Sequence, residues 1–157
     1  MHSTIAIEPA SAVVDDAHTS LIQRGASYRC GQIVAQSGRV TDIQHRWFPR
    51  SVSMLRVAWD IYFPRKESDI CRLDFHQPWG MPAFLALDYI ASSHDASFAT
   101  FRAAVRALDQ IAHGRGTYAI VAHVTNQSIS DRLMQRWGWE RHLQHWKGRH
   151  YIKRLVV

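Results

Sequence analysis

A chain of 157 residues, 46% of them apolar and with a net charge of +6, can bury one core and is too short for two domains of ordinary size. No apolar run approaches the roughly 20 residues that span a bilayer, and the N-terminus lacks the basic and apolar stretches of a secretory leader. A single cytoplasmic domain without a membrane partner is expected, and the positive charge favours anionic partners without naming one.

Taken in chain order, residues 4–7 are a short strand candidate before Pro9. Residues 13–24 suit a helix: Val14, Ala17 and Leu21 share a face, Asp15 and Asp16 lie at its positive end, and Gly25 ends it. From 27 to 48 the pattern fits two structures, because 28–35 looks extended while Val40, Ile43 and Trp47 also keep helical spacing. Residues 55–63 alternate strictly, with Leu55, Val57, Trp59, Ile61 and Phe63 against Arg56, Ala58, Asp60 and Tyr62, as a half-buried strand does. Residues 69–76 alternate again around Cys71, Leu73 and Phe75, and the polar turn between the two segments predicts an antiparallel hairpin.

Pro78, Gly80 and Pro82 then break the chain, and 84–91 is a third strand, more apolar and so central. Asp95 or Ser97 caps the helix that follows. Its inner face is Phe98, Phe101, Val105, Leu108 and Ala112, its outer face Arg102, Arg106 and Asp109, and Gly114 and Gly116 stop it. Residues 117–125 form a nearly continuous apolar run, as expected of a buried strand in parallel contact. A second helix over 129–137 carries Ile129, Leu133 and Trp137 on one stripe and ends at Gly138, and strands over 141–146 and 150–156 follow. Antiparallel strands followed by a strand-helix-strand crossover predict one mixed sheet with helices packed against it, an α+β or mixed α/β fold.

Cys30 and Cys71 lie far apart among strand-like residues and read as buried free thiols. None of the ten histidines has the HxxxH spacing of a helical metal site, and His142, His145 and His150 lie across two strands and a turn, so no metal is expected. His123, inside the apolar strand, is either a general base or a hydrogen-bonded core histidine. Asp88 lies in the middle of its strand, where the ordinary expectation is a carboxylate that points to solvent. Asp74 joins it as a carboxylate pair only if both share a face, which the alternation leaves open. Trp79, in a loop without periodicity, is the candidate for an exposed contact, the other tryptophans being mainly core. Arg132, Arg136, Arg141, Lys147, Arg149, Lys153 and Arg154 stand against Asp131 and Glu140, a tail that faces nucleic acid, a phosphorylated cofactor or only water, and no nucleic-acid reading motif accompanies it.

The element order from residue 55 on is similar to that of the GNAT superfamily of N-acyltransferases. Val121, Ala122, His123 and Val124, then Asn126, an amphipathic helix, Gly138 and Trp139 resemble that family's strand, Asn, helix and Gly-aromatic pattern. Gln127 is an alternative match for the Asn, and Tyr151, Ile152 and Lys153 look like the closing strand. The resemblance covers 55–157 of a single domain over 1–157, with 1–50 divergent. It implies that strands 84–91 and 117–125 lie parallel and splay, leaving a slot for acetyl-CoA or another acyl-CoA, and that an acyl group passes to an amine of a small molecule or a protein. Tyr89, Ile90, Ala91, Ser92, Ser93, His94, Ser97, Arg102 and Asn126 would then line the cofactor, and Asp88 or His123 would be the base.

Two features depart from the family pattern. The glycine-rich phosphate loop is replaced by Ser92, Ser93, His94, Asp95, Ala96 and Ser97, which sets a carboxylate where phosphate would sit. The helical position of the family's general-acid tyrosine holds Met134, which has no proton to donate. The competing reading, from a different class, is a noncatalytic binding module on the same scaffold, with Trp79 and the basic C-terminal strands as its contact surface.

Overall fold

The computed structural model describes residues 10–48, 68–124 and 130–155, with side chains from residue 16 onward. Its elements are α1 (Ala10–Ser27), β1 (Cys30–Gln36), β2 (Arg39–His45), β3 (Ile70–His76), β4 (Phe84–Ser92), α2 (Phe98–Gly114), β5 (Ala119–Val124), α3 (Asp131–Arg136), β6 (Glu140–His142) and β7 (Arg149–Arg154). The strands form one sheet in the order β2-β1-β3-β4-β5-β7-β6. All neighbours are antiparallel except β4 and β5, which are parallel and joined through α2. The mixed sheet with flanking helices is the expected fold class.

Which face the helices cover follows from register. Gly25 of α1 lies against Ile43 and Ile111, so Ile43 of β2 faces the helices. Ile43 pairs with Ile33, and Ile33 with Leu73, and paired residues share a face. Ile33, Leu73, Phe75 and Leu85 are therefore core side chains under α1 and α2, all but fully buried, and each contributes about 1.5–3 kcal/mol by leaving water. Lys153 of β7 reaches Asp109 of α2 at 2.6 Å, and Trp137 beyond α3 stacks on Phe101 at 4.7 Å between ring centres, which puts α3 on the same side. Gln32, Asp74, His76 and His123, at the alternate positions, point to the other face.

Several expectations change. The ambiguous stretch resolves as the hairpin β1-β2, turning at Ser37 and Gly38, which both take positive φ (50° and 79°) as a tight two-residue turn requires. Gly25 does not end α1 but is buried inside it, because a larger residue would meet Ile111 and Ile43 below 3 Å. Both edges of β3 are occupied, by β1 and β4, so the predicted hairpin with 55–63 is not how β3 pairs; 55–63 itself lies outside the described residues, as do 4–7 and Ile129. The inner face of α2 is Thr100, Ala104, Ala107, Leu108, Ile111 and Ala112. Phe98 is exposed and leans on Trp137; Phe101 is half-buried, meeting Trp137 on one side while it and Val105 pack against the core as expected. β6 is only three residues long, because Leu143 turns to positive φ (49°).

Candidate functional site in the β4–β5 cleft

β4 and β5 are in register from Phe84 with Ala119 to Leu87 with Ala122, and the pairing stops there although β4 runs on to Ser92 and β5 to Val124. Among the described residues the two strands pair only over these four positions. The parting coincides with a bulge: Asp74 pairs with Tyr89 and Phe75 with Leu87, so Asp88 is the extra residue. A bulge interrupts the ladder and re-aims a side chain, and here it turns Asp88 to the face away from the helices. There His76 Nδ1 lies 2.7 and 2.8 Å from its two carboxylate oxygens. An ionised carboxylate only accepts, so Nδ1 carries the hydrogen and the bond fixes the imidazole plane.

Burial pushes the Asp88 carboxyl above the ordinary aspartate range; His76 opposes the shift and the negative charge of Asp74 adds to it. The two carboxylates thus do share a face. Asp74 is itself buried and held by Gln32 Nε2 at 2.8 Å, and Gln32 Oε1 accepts from Arg46 at 2.6 Å. A carboxylate poised above its usual range, hydrogen-bonded to an imidazole at the mouth of a cleft, is a proton acceptor or a cation anchor.

A cavity of about 430 Å³ opens beside Asp88, within the range of small-ligand sites. Its walls are mostly apolar, from Pro78, Met81 and Phe84 to Val121 and Leu143, and its polar groups are Asp88, His123, His142 and His150. His123 is exposed rather than a core histidine, because its side chain leaves β5 on the uncovered face where the seam has opened. His142 pairs with His150, and His150 with His123. These three therefore occupy one face; of the group His142, His145 and His150, the cross-strand pair His142 and His150 shares that face, and His145 does not line the cavity. No group of three or more His, Cys, Asp or Glu side chains among the described residues is arranged to hold a metal ion.

The presumed cofactor turn looks different. Asp69, in the left-handed region (φ 50°), accepts from the Ser97 N–H at 2.6 Å and from its hydroxyl at 3.2 Å. The Ser97 hydroxyl oxygen accepts in turn from Thr100 N–H, capping α2. Ser93 is bonded through N–H and Oγ to the backbone of Ile70, and Asp95 accepts from the Asp69 N–H. The Ser97 amide and hydroxyls that could receive a pyrophosphate are already engaged by the chain, and two carboxylates stand among them. The residues present do not fit a pyrophosphate here. Tyr89, Ile90 and Ala91 lie half-buried on the free end of β4, while Ser92, His94 and Arg102 are exposed; Asn126 lies outside the described residues.

The Ser97 amide holds the Asp69 carboxyl below the ordinary aspartate range, and the Ser93 hydroxyl does the same for Asp95. A depressed native pKa gives stability that is present above the unfolded value and lost as pH falls through the native one. The wild-type melting temperature is therefore expected to fall more steeply between about pH 5 and about pH 3 than that of Asp69→Asn, as read by circular dichroism. Parallel curves would remove Asp69 as the anion of this turn.

Elsewhere the expected contact surfaces divide. Trp79 is 86% exposed, with the Arg29 guanidinium 3.6 Å above its ring, and Trp47 and Phe48 are exposed as well. In the basic C-terminal strands Arg154 meets Glu140, Lys153 meets Asp109, and Arg141 and Arg149 share Asp131 at 3.7 Å, so the segment keeps an excess of positive charge. Cys30 and Cys71 are free and buried, and burial raises the Cys71 thiol to about 11. No helix among the described residues is long and apolar enough to cross a membrane.

The sequence reading missed His76 and the alignment of His142 and His150 with His123. His76 follows Asp74 by two positions, which placed it on the same face, but only the bulge at Asp88 brings the two into contact. Comparison of the chain with protein-family models, with curated proteins and with solved structures finds no match among them.

Proposed function

We propose that this is a GNAT-like binding protein whose β4–β5 cleft receives a small, largely apolar amine, with the ammonium group on Asp88. The observation that carries this reading is the half-buried Asp88 carboxylate, hydrogen-bonded to His76 at one side of an apolar cavity. A cation there restores the charge balance that burial and the neighbouring Asp74 disturb, and a charge-assisted hydrogen bond to a carboxylate contributes about 1.5–3 kcal/mol. His76 holds the carboxylate in place.

Acyl transfer from acetyl-CoA to such an amine is the second reading, favoured by the parting of β4 and β5 and by a proton acceptor at that point. The engaged turn at Asp69 weighs against it. Nucleic-acid binding rests on charge alone, which the pairing of Arg141, Arg149, Lys153 and Arg154 with three acids reduces.

Titration calorimetry with phenethylamine and isoamylamine, and separately with CoA and acetyl-CoA, distinguishes the readings. Heat from the amines and none from millimolar CoA is the expected result. Binding of CoA with product formation would replace the first reading by the second, and silence from the amines would refute the amine site.

A further inference from the structure

The gap between β4 and β5 has unlike banks. Pairing ends at Leu87 and Ala122, so the first residues beyond the join are Asp88 on one strand and His123 on the other. β7 and β6 extend the second bank, because His123 is in register with His150 and His150 with His142. In-register neighbours share a face, with Cβ atoms about 4.5–5.5 Å apart, and all three imidazoles line the same cavity as Asp88.

The three histidines are not equivalent. His150 stacks on His123, with ring centres 4.4 Å apart and planes at 11°, and its Nε2 donates to the Lys147 carbonyl at 3.1 Å. Its hydrogen is committed, and it acts as a positioning residue that fixes the plane of its neighbour. Trp146 closes edge-on against it at 5.9 Å. Gly148 brings the β6–β7 turn onto His123 so closely that a Cβ there would lie 2.5 Å from His123 Nε2. His123 and His142 themselves have no hydrogen-bond partner among the described residues. Each neutral imidazole keeps one N–H donor, so this bank offers donors where the opposite bank offers a carboxylate.

We propose that the ligand of this cleft is a zwitterion with an apolar body, an α-amino acid or a compound with the same paired head groups. Its ammonium rests on Asp88 and its carboxylate on His123 and His142, while Pro78, Met81, Phe84 and Leu143 enclose the side chain. An amine alone leaves the imidazole donors unused, and a carboxylate alone is repelled by Asp88. Only a ligand with both charges engages both banks and enters an apolar cavity with no net charge of its own. This inference rests on the amine site proposed above and adds the second anchor.

The test is calorimetric titration of the protein with phenylalanine, phenethylamine and 3-phenylpropanoate, and with leucine, isoamylamine and 4-methylpentanoate. Each amino acid is expected to bind at least tenfold more tightly than its amine, and the acids not to bind. His123→Ala and His142→Ala should each cost the amino acid several-fold more affinity than they cost its amine, and together remove the amino acid's advantage. An amine that binds as well as its amino acid, or an advantage that survives both histidine substitutions, overturns the zwitterion and leaves the amine site standing. No heat from any amine or amino acid overturns both. Circular dichroism on each variant separates lost binding from lost structure.

Discussion

Gly31→Ala is expected to destabilise the fold by about 1–3 kcal/mol, the usual cost of forcing a methyl group into a packed core. A Cβ at this position would lie 2.6 Å from Phe75 Cζ, 2.8 Å from Phe75 Cε1 and 3.3 Å from the Gln44 carbonyl oxygen. Gly31 sits in β1, with Phe75 of β3 directly opposite, and the ring lies over the glycine in the space a side chain would fill. Phe75 is 1% exposed, so the ring has nowhere to go without displacing its neighbours. Gly25→Ala makes contacts nearly as short, 2.8 and 2.9 Å, but with the methyl ends of Ile111 and Ile43. The Ile111 Cδ1 end can turn, whereas Ile43 Cγ2 moves only with a stiff χ1 in an equally buried site; alanine also raises helix propensity by about 1 kcal/mol, so Gly25→Ala should cost less. Chemical denaturation of both variants gives the comparison. The double variant Gly31→Ala with Phe75→Leu should be less damaged than the two single losses added together, because the shorter side chain vacates the contested space. Strict additivity would mean that the ring is not what alanine meets.

The same pair marks the boundary of what sequence pattern conveys. Period-two alternation found β3 and β4 within a residue or two, since one buried face writes itself into the order of side chains. It could not say that β3 lies between β1 and β4, because alternation records faces and not neighbours, and adjacency in sequence suggested the wrong partner. The stripe on α2 was legible in part: Leu108 and Ala112 lie in the core with Phe101 and Val105 packed against it, and Phe98 does not. Phe98 looks like core by type, yet it meets Trp137, while the surface under the helix is filled by small residues, Ala104, Ala107 and Ala112, that permit close approach to the sheet. At the site, Asp88 was legible as a carboxylate in an apolar strand and His123 as an imidazole in another. What joined them was a single bulge and a single loss of pairing, both properties of the ladder. Asp69 was invisible as an anion for α2, because it reaches the helix start from 28 positions away.

Asp88→Asn keeps the size and hydrogen-bonding shape of the side chain and removes its charge, which separates its electrostatic role from its packing. Affinity for an amine is expected to fall at least tenfold, since about 1.4 kcal/mol is one decade and a charge-assisted bond contributes more than that. The pH dependence gives an independent sign. Burial raises the native Asp88 pKa above the unfolded value, so the native state holds this proton more tightly than the unfolded chain does. Its contribution to stability is then greatest below the ordinary aspartate range and declines as pH rises through the raised value. This is opposite in sign to the acid loss expected at Asp69. Bare protein should therefore give up some stability between the ordinary aspartate range and neutrality that Asp88→Asn does not. An ammonium ligand binds the ionised form, so wild-type affinity should rise over the same interval in which the unliganded fold weakens. Thermal melts across that interval, with and without phenethylamine, measure both slopes. The ligand should flatten the wild-type decline and shift the Asp88→Asn curve far less. A ligand effect of equal size in the two proteins would mean that the amine binds elsewhere, and that the carboxylate at the bulge serves only to orient His76.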